Sequence, residues 1–176
     1  MTTSNLPEIR LRAMEPEDLD FLYGIENDPE IWNVGATNVP YSRYNLYEYV
    51  ANTKNDIYAD RQVRMLIENS TGSVVGIVDL MSFDPRHMRA EVGIVIQNKY
   101  RRMGYARAAL QRTVTYATHT LNLHQLYAIV PADNNASLGL FENIGFERTA
   151  ELKEWLVFGE KYQKACLLQF FLQKDV

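Results

Sequence analysis

The chain has 176 residues, of which 47% are hydrophobic and 23% are charged, and its formal net charge is -4. A chain of this length can bury a stable core without disulfides or a structural metal. Its pI of about 5.4 argues against a protein that binds nucleic acid through bulk positive charge. No apolar stretch is long enough to span a bilayer, and residues 1–5 lack the features of a signal peptide. We therefore expect a cytoplasmic protein with no nucleic-acid or membrane partner.

Cysteine and histidine are sparse. The single cysteine, Cys166, excludes an internal disulfide framework and fits a reducing compartment. His87, His119 and His124 lack the spacing of metal ligands, so we expect no metal site. No repeat, low-complexity tract or linker divides the sequence, which predicts one domain over residues 1–176.

The N-terminal third predicts a strand followed by two helices. Apolar residues alternate with arginines over residues 9–13, the pattern of an edge strand. A proline and two acids at residues 16–18 open a helix, which should end near residues 28–29 because helical geometry is disfavoured before a proline. A second helix is predicted over residues 41–54, with Ser42 as its N-cap.

Three consecutive strands are predicted next. Residues 63–68 and 74–81 are rich in apolar and β-branched residues, and they flank a turn-forming cluster at residues 69–72. A further turn at residues 84–87 leads into the apolar stretch at residues 90–96. Short turns join antiparallel neighbours, so we expect a three-stranded meander.

The stretch from residue 90 to residue 121 carries the clearest functional signal. It begins as a short β-branched strand, continues as a polar basic turn containing Gly104, and ends as a helix with one apolar face. That face consists of Ala106, Leu110, Val114, Ala117 and Leu121. Backbone N–H groups at the start of a helix favour a phosphate, so this stretch predicts an anion site. The alternative is an ordinary strand-to-helix connection that contains a glycine.

The last third predicts one more buried strand, a short helix and two late strands. The strand covers residues 126–130, and the helix covers residues 137–143 and is stopped by Gly145. The late strands are predicted near residues 154–158 and 163–172. The expected order of elements is β-α-α-β-β-β-α-β-α-β-β.

Two sequence blocks resemble signatures of the GNAT N-acetyltransferases. Arg101-x-x-Gly104-x-Ala106 is similar to the family's pyrophosphate loop, and it matches neither the dinucleotide fingerprint nor a P-loop. The second block is similar to the segment that the family places beside the CoA sulfur. It reads Asn134-x-x-Ser137-x-x-Leu140-Phe141-x-x-x-Gly145-Phe146. The resemblance implies an α/β (α+β) fold with a mixed, mostly antiparallel central sheet flanked by helices.

The resemblance also implies acetyl-CoA as co-substrate. Backbone groups of the central strand would pair with the pantetheine arm, and the glycine loop would hold the pyrophosphate. Two residues of the second block would lie near the CoA sulfur. The implied CoA-binding residues are Ile94, Val95, Ile96, Arg101, Arg102, Met103, Gly104, Tyr105, Ala106, Asn134 and Phe141.

Acetyl transfer to an amine requires removal of a proton, because an alkyl ammonium has an ordinary pKa of about 10.4. Glu91 is the candidate general base, since an acid inside an otherwise apolar strand is unusual. In the alternative interpretation Glu91 faces solvent or pairs with an arginine such as Arg12 or Arg89.

The departing thiolate has an ordinary pKa near 8.5, so an acid beside it would help it leave. Many family members have a tyrosine where this chain has Phe141, and phenylalanine has no proton to give. Either Tyr127, Ser137, Cys166 or water replaces that tyrosine, or the thiolate leaves unassisted.

The expected acceptor is a primary amine. Residues 87–110, 121–124 and 159–163 look like bacterial spermidine N-acetyltransferases, but a polyamine needs carboxylates along its cleft, and here the acids are interspersed with basic and amide residues. Those acids are Glu26, Asp28, Glu30, Glu48, Asp56 and Asp60. The alternatives are a ribosomal-protein type of acetyltransferase, whose acceptor is a protein N-terminus, and a CoA-binding module with little turnover. The sequence leaves the oligomeric state open, a homo-oligomer included.

Overall fold

A computed structural model describes residues 6–32, 39–54 and 56–172. Within these ranges the strands are β1 (Ile9–Arg12), β2 (Val63–Asn69), β3 (Val74–Asp84), β4 (Arg89–Ile96), β5 (Gln125–Pro131), β6 (Glu147–Phe158) and β7 (Lys161–Phe171). The α-helices are α1 (Leu19–Glu26), α2 (Pro29–Trp32), α3 (Arg43–Asn52), α4 (Ile57–Asp60), α5 (Tyr105–His119) and α6 (Asn135–Ile144). Short 3-10 turns cover Pro16–Asp18 and Asn98–Tyr100.

The strands form one sheet in the order β1-β2-β3-β4-β5-β7-β6. The β4–β5 pair is parallel, and the other neighbouring pairs are antiparallel. The meander predicted for the three middle strands is therefore formed by β2, β3 and β4. The mixed, mostly antiparallel sheet flanked by helices confirms the fold class that the family resemblance implied.

Helices cover both faces of the sheet. α5 and α6 pack on one face, whereas α1 and α3 pack on the other. Ala90 and Val92 of β4 are buried in the core beneath α5. Because successive side chains of a strand point to opposite faces, Glu91 between them points towards the α1–α3 face.

Two local signals that were read from the sequence have the expected geometry. The Ser42 hydroxyl accepts a hydrogen bond of 3.0 Å from the Asn45 N–H and so caps α3. Gly145 ends α6 with a φ of 117°, in the left-handed region that disfavours side chains.

Two short helices and the length of β6 differ from the sequence prediction. α2 and α4 have four residues each, which is too short for an apolar period to show. β6 begins at Glu147 rather than near residue 154, and nearly all of its side chains are exposed. β6 is held by backbone pairing with β7 rather than by burial of one face. Its sequence therefore lacks the alternation of apolar and polar residues that predicts a strand.

The described parts of the chain contain no group of three or more histidine, cysteine, aspartate or glutamate residues that could hold a metal ion. None of the helices in those parts is long and apolar enough to cross a membrane.

Gly76 of β3 sets how closely β3 approaches β4. A Cβ atom at Gly76 would lie 2.3 Å from the Val95 carbonyl oxygen, a backbone atom that cannot move aside by rotation. We expect Gly76→Ala to lower the free energy of unfolding by about 2 kcal/mol or more, because the strands must separate.

Gly24→Ala is the matched control. Gly24 lies exposed in α1, and a Cβ there would meet nothing within 4 Å. Alanine should raise the stability by roughly 0.5–1 kcal/mol, because it restricts the unfolded chain and favours the helix. Urea unfolding of both variants provides the comparison, and equal stability of the Gly76→Ala variant and the parent would contradict the close approach of the strands.

Candidate active site

β4 and β5 run side by side for only part of their length. Parallel pairing covers three residue pairs, of which the last joins Glu91 to Tyr127. Beyond this pair β4 continues to Ile96 while bound to β3, and β5 continues to Pro131 while bound to β7. The two strands therefore diverge and leave a V-shaped opening in the sheet, with its apex at Glu91 and Tyr127.

Alternate residues of β4 direct their backbone groups into this opening. The Gln97 N–H donates to the Val75 carbonyl at 2.9 Å, which places residue 97 in a hydrogen-bonded pair with β3. In an antiparallel ladder such pairs alternate, so Val95 also bonds to β3, while Ile94 and Ile96 direct their N–H and C=O groups away from it. The prediction that all three residues offer free backbone groups is therefore corrected at Val95.

The loop after β4 folds back over the end of the strand. The Arg101 Nε donates a hydrogen bond of 3.0 Å to the Ile96 carbonyl, one of the groups that face the opening. This contact leaves both terminal nitrogens of the guanidinium without a partner among the described residues. Arg102 follows with a φ of 61°, a left-handed conformation that turns the chain towards the helix. The loop thus places positive charge at the rim of the opening.

α5 starts at the rim with its first N–H groups available. Gly104 is the N-cap residue, has a φ of 86° and provides no side-chain cap. The first hydrogen bond of the helix runs from the Ala108 N–H to the Gly104 carbonyl at 3.0 Å, so the preceding N–H groups have no partner within the helix. Tyr105 and Ala106 occupy this first turn, and Met103 before it is exposed. The loop thus combines free N–H groups with positive charge, and its binding of a phosphate stays a prediction.

Glu91 is half-buried at the apex, between Met81 of β3 and Tyr127 of β5. It makes no hydrogen bond or ion pair with the described residues. Burial raises the pKa of its carboxyl above the ordinary value. The arginines that could have paired with it are engaged elsewhere: Arg12 with Asp18 and Glu68, and Arg89 with Asp84. Among the described residues Glu91 thus has no countercharge, and its pKa is shifted towards that of a useful base.

Ser82 is a site residue that the sequence did not reveal. A bulge between Met81 and Asp84 inserts it into β3 with a φ of 51°. Its side chain lies close to that of Tyr127, whose pKa is raised by burial and by the neighbouring Glu91. The bulge depends on the pairing of β3 with β4, and no residue of the segment predicts it.

Asn134 and Phe141 lie on the helix that packs beside α5. The Asn134 side-chain oxygen accepts a hydrogen bond of 3.1 Å from the Ser137 N–H, so it caps α6. The Phe141 ring is 3% exposed and stacks edge-on against Phe146, with ring centroids 5.0 Å apart. The packing shows that Phe141 is a core residue. The contact of Asn134 and Phe141 with CoA stays a prediction.

A cluster of opposite charges lies on the same face of the sheet as Glu91. Arg64 of β2 binds both Asp79 carboxylate oxygens, at 2.8 and 2.9 Å, and also contacts the Glu26 carboxylate of α1. The Tyr49 ring of α3 lies 5.9 Å from the guanidinium. Asp79 is paired with Gly93, two residues along β4 from Glu91. With one arginine and two acids, this cluster has a net negative charge. The sequence did not predict the cluster, because its members are far apart along the chain.

Most of the remaining acids that were considered for the acceptor stabilise local structure. Asp28 accepts a hydrogen bond of 2.9 Å from the Glu30 N–H, and Asp56 accepts one of 2.9 Å from the Tyr58 N–H. Glu48 accepts a hydrogen bond from Asn52 one turn along α3. Glu30 in contrast accepts a hydrogen bond of 3.2 Å from the Asn98 side chain shortly after β4, so it adds negative charge near the opening to that of Glu91 and the Arg64 cluster.

Comparisons with known proteins agree with this geometry. The crystal structure of spermidine N-acetyltransferase from Vibrio cholerae in complex with CoA and spermine is similar, with a TM-score of 0.83, 27% identity, and coverage of 93% of this chain and 95% of that chain. A dodecameric structure of the Vibrio enzyme matches with a TM-score of 0.78, 27% identity, and coverage of 93% and 94%. A putative ribosomal N-acetyltransferase of Bacillus subtilis is 27% identical over 155 residues, 84% of this chain and 82% of that protein.

A family model agrees with both the sequence blocks and the sheet. The model described as acetyltransferase (GNAT) domain matches residues 8–147, which include the opening, the glycine loop and all of α6. The chain is an acetyl-CoA-dependent N-acetyltransferase and belongs to the GNAT family.

Proposed function

We propose that this enzyme binds acetyl-CoA in the opening between β4 and β5 and acetylates a small primary amine of the polyamine class. The divergence of the two strands at Glu91 and Tyr127 is the observation that carries the proposal. It joins three things that amine acetylation needs: unpaired backbone groups, a phosphate site at one end and a carboxylate base at the other.

The CoA-binding part of the proposal depends on β4 and the loop after it. The backbone groups of Ile94 and the N–H of Ile96 can pair with the amides of the pantetheine arm, as an added strand would, while the Ile96 carbonyl is bound by Arg101. Arg101, Arg102 and the first turn of α5 supply the donors for the pyrophosphate. The fit is supported by the direction of these groups, since they line one continuous path from the apex to the helix.

The chemical part of the proposal depends on Glu91. Its carboxylate takes a proton from the acceptor ammonium, either directly or through one water. A backbone N–H at Ile94 or Ile96 donates to the thioester carbonyl and stabilises the negative charge that develops there. Burial supports the role of Glu91 as the base, because it raises the pKa of the carboxyl and so makes the carboxylate a stronger base.

The acceptor is inferred from charge and from relatives. Glu91 and the Arg64 cluster make the α1–α3 face electronegative, which favours a cation. The Vibrio enzyme in the compared structure carries spermine together with CoA. Few carboxylates line the face, so we expect recognition of one or two ammonium groups. A peptide N-terminus is the second candidate, because the Bacillus relative is named as a putative ribosomal acetyltransferase.

We further propose a homo-oligomer, with the tip of the β6–β7 hairpin as one contact surface. Large apolar side chains are exposed there, and the dodecamer formed by the Vibrio enzyme supports assembly. These exposed residues are Trp155, Val157, Phe158 and Tyr162. A single domain and a cytoplasmic location stay predictions from the sequence.

Gly104→Val tests the phosphate site. A β-branched residue at a φ of 86° is strained, and its Cβ would lie 3.0 Å from Pro7 Cδ. We expect the dissociation constant of CoA, measured by calorimetry, to rise about tenfold or more, since such strain is worth of order 1–3 kcal/mol. Gly72→Val is the control, because Gly72 has a similar φ of 80° but lies in the turn between β2 and β3. Unchanged CoA binding by Gly104→Val would remove the loop from the site.

Glu91→Gln tests the base. Because the pKa of Glu91 is raised, the acid limb of kcat/KM should lie above the ordinary carboxyl range, and activity should rise as Glu91 loses its proton. Glutamine cannot ionise, so this limb should vanish while kcat falls by about 100-fold or more. Glu151→Gln, which changes an exposed carboxylate paired with Lys164, should leave the profile intact. A profile of Glu91→Gln that matches the parent would assign Glu91 a structural role.

Thiol release from acetyl-CoA tests the acceptor. Spermidine, spermine, a monoamine and short peptides with free N-termini are compared at equal concentration. We expect the highest kcat/KM with the polyamines, because their cations suit the electronegative face. Turnover with peptides alone would replace the polyamine by a protein N-terminus. If the protein binds CoA tightly but releases no thiol with any of these acceptors, it is a CoA-binding module without turnover.

A further inference from the structure

We propose that Tyr127 is the general acid that protonates the departing thiolate, and that Ser82 is the residue that positions it. This inference rests on the proposed function, since it places the thioester at the apex of the opening. It assigns a role that the sequence left open among several groups and that Phe141 cannot perform.

The register of the sheet places Tyr127 at the reacting end of the opening. It is the partner of Glu91 in the last parallel pair before the strands diverge. Side chains of paired residues point to the same face, so both groups project from the apex towards α1 and α3. β5 remains bound to β7 at this position through the pair of Tyr127 with Gln169, which fixes the backbone that carries the phenol.

Phe141 cannot act as the proton donor, because its side chain carries no acidic proton and lies in the core. Its ring is 3% exposed and packs on Phe146 in the core. Tyr127 in contrast is half-buried and borders the opening. Tyr127 is thus the phenol that the sheet itself brings to the apex, across from the base.

Ser82 restrains the phenol through a strained piece of backbone. Its φ of 51° lies in the left-handed region, which is strained for a non-glycine residue and persists only where the surroundings hold it. The bulge that creates this conformation brings the Ser82 hydroxyl to Tyr127. In the positioning role that we propose, Ser82 donates to the phenol oxygen, which leaves the proton of the phenol to point elsewhere.

The charges around Tyr127 keep that proton in place at neutral pH. Glu91 and Arg89 face it from β4, Asp84 faces it from β3, and the uncharged Gln169 lies opposite on β7. Burial and Glu91 raise the pKa of Tyr127, while Ser82 and Arg89 lower it, and the net direction is upward. The phenol therefore enters the reaction protonated and able to donate.

The proton transfers balance as follows. Glu91 takes the first proton of the ammonium and later releases it to water. The amine nitrogen forms a bond to the thioester carbon, and the carbon–sulfur bond breaks with its electron pair on sulfur. Tyr127 gives its proton to that sulfur, and the second proton of the nitrogen returns to Tyr127, through water where needed. One amide, one thiol and one released proton result.

Tyr127→Phe is the direct test. We expect kcat to fall by about 100-fold, the low end of general acid catalysis, with the dissociation constant of CoA unchanged. The solvent deuterium isotope effect on kcat should shrink, because no proton then moves to sulfur in that step. Tyr58→Phe, which alters an exposed phenol on α4, should change neither quantity. Tyr127→Phe with full kcat, or with weakened CoA binding as its main defect, would overturn the inference.

Ser82 variants separate positioning from packing. Ser82→Ala removes the donor that lowers the pKa of Tyr127, so the alkaline limb of kcat at saturating amine should move to higher pH. Ser82→Gly relaxes the backbone strain and removes the same hydroxyl, and it should move the limb equally. A lower kcat without movement of the limb would overturn the positioning role.

Parent protein that binds CoA but acetylates no amine would overturn the proposed function itself, whereas an active parent with an unaffected Tyr127→Phe variant overturns only this inference.

Discussion

The divergence of β4 from β5 is the constraint on which the site depends. Each strand keeps its other neighbour, β3 or β7, so neither can close the gap by shifting. Buried backbone groups must find a hydrogen-bond partner, and those that β4 directs into the opening can be met by an extended ligand with alternating donors and acceptors. The opening is thus maintained by the rest of the sheet, and Gly76 contributes by letting β3 approach β4 closely.

Charge is distributed unevenly around this opening. Arginines and free N–H groups gather where β4 ends and α5 begins, while unpaired Glu91 and the Arg64 cluster lie towards the apex and the α1–α3 face. One end therefore suits an anion and the other a cation. This arrangement orients a phosphate-bearing thioester and an ammonium towards each other before any bond changes, which is how positioning lowers the barrier of a two-substrate reaction.

The pKa of Glu91 is shifted in the opposite direction from the pKa values of Asp18 and Glu68. Asp18 and Glu68 bind arginines, and these partners hold their pKa values below the ordinary range. Glu91 is half-buried and makes no ion pair with the described residues, and burial shifts its pKa upward, as burial also does for Tyr127. A raised pKa means that the folded protein destabilises the charged form of the group. For Glu91 and Tyr127 this occurs at the apex, where a proton must be transferred.

The sequence by itself determined the local elements and the family. Apolar periodicity, the Ser42 cap and Gly145 predicted helices and strands, because these signals act within a few residues. The strand, glycine loop and helix around Gly104 indicated the phosphate site for the same reason.

Only the tertiary structure decided which groups meet. The register of β3, β4 and β5 directs Ile94 and Ile96 into the opening, turns Val95 away, pairs Glu91 with Tyr127 and creates the bulge at Ser82. The early start of β6 at Glu147 and the Arg64 cluster were likewise not predicted. Strand register and long-range ion pairs arise from contacts between distant segments, so no local pattern in the chain encodes them.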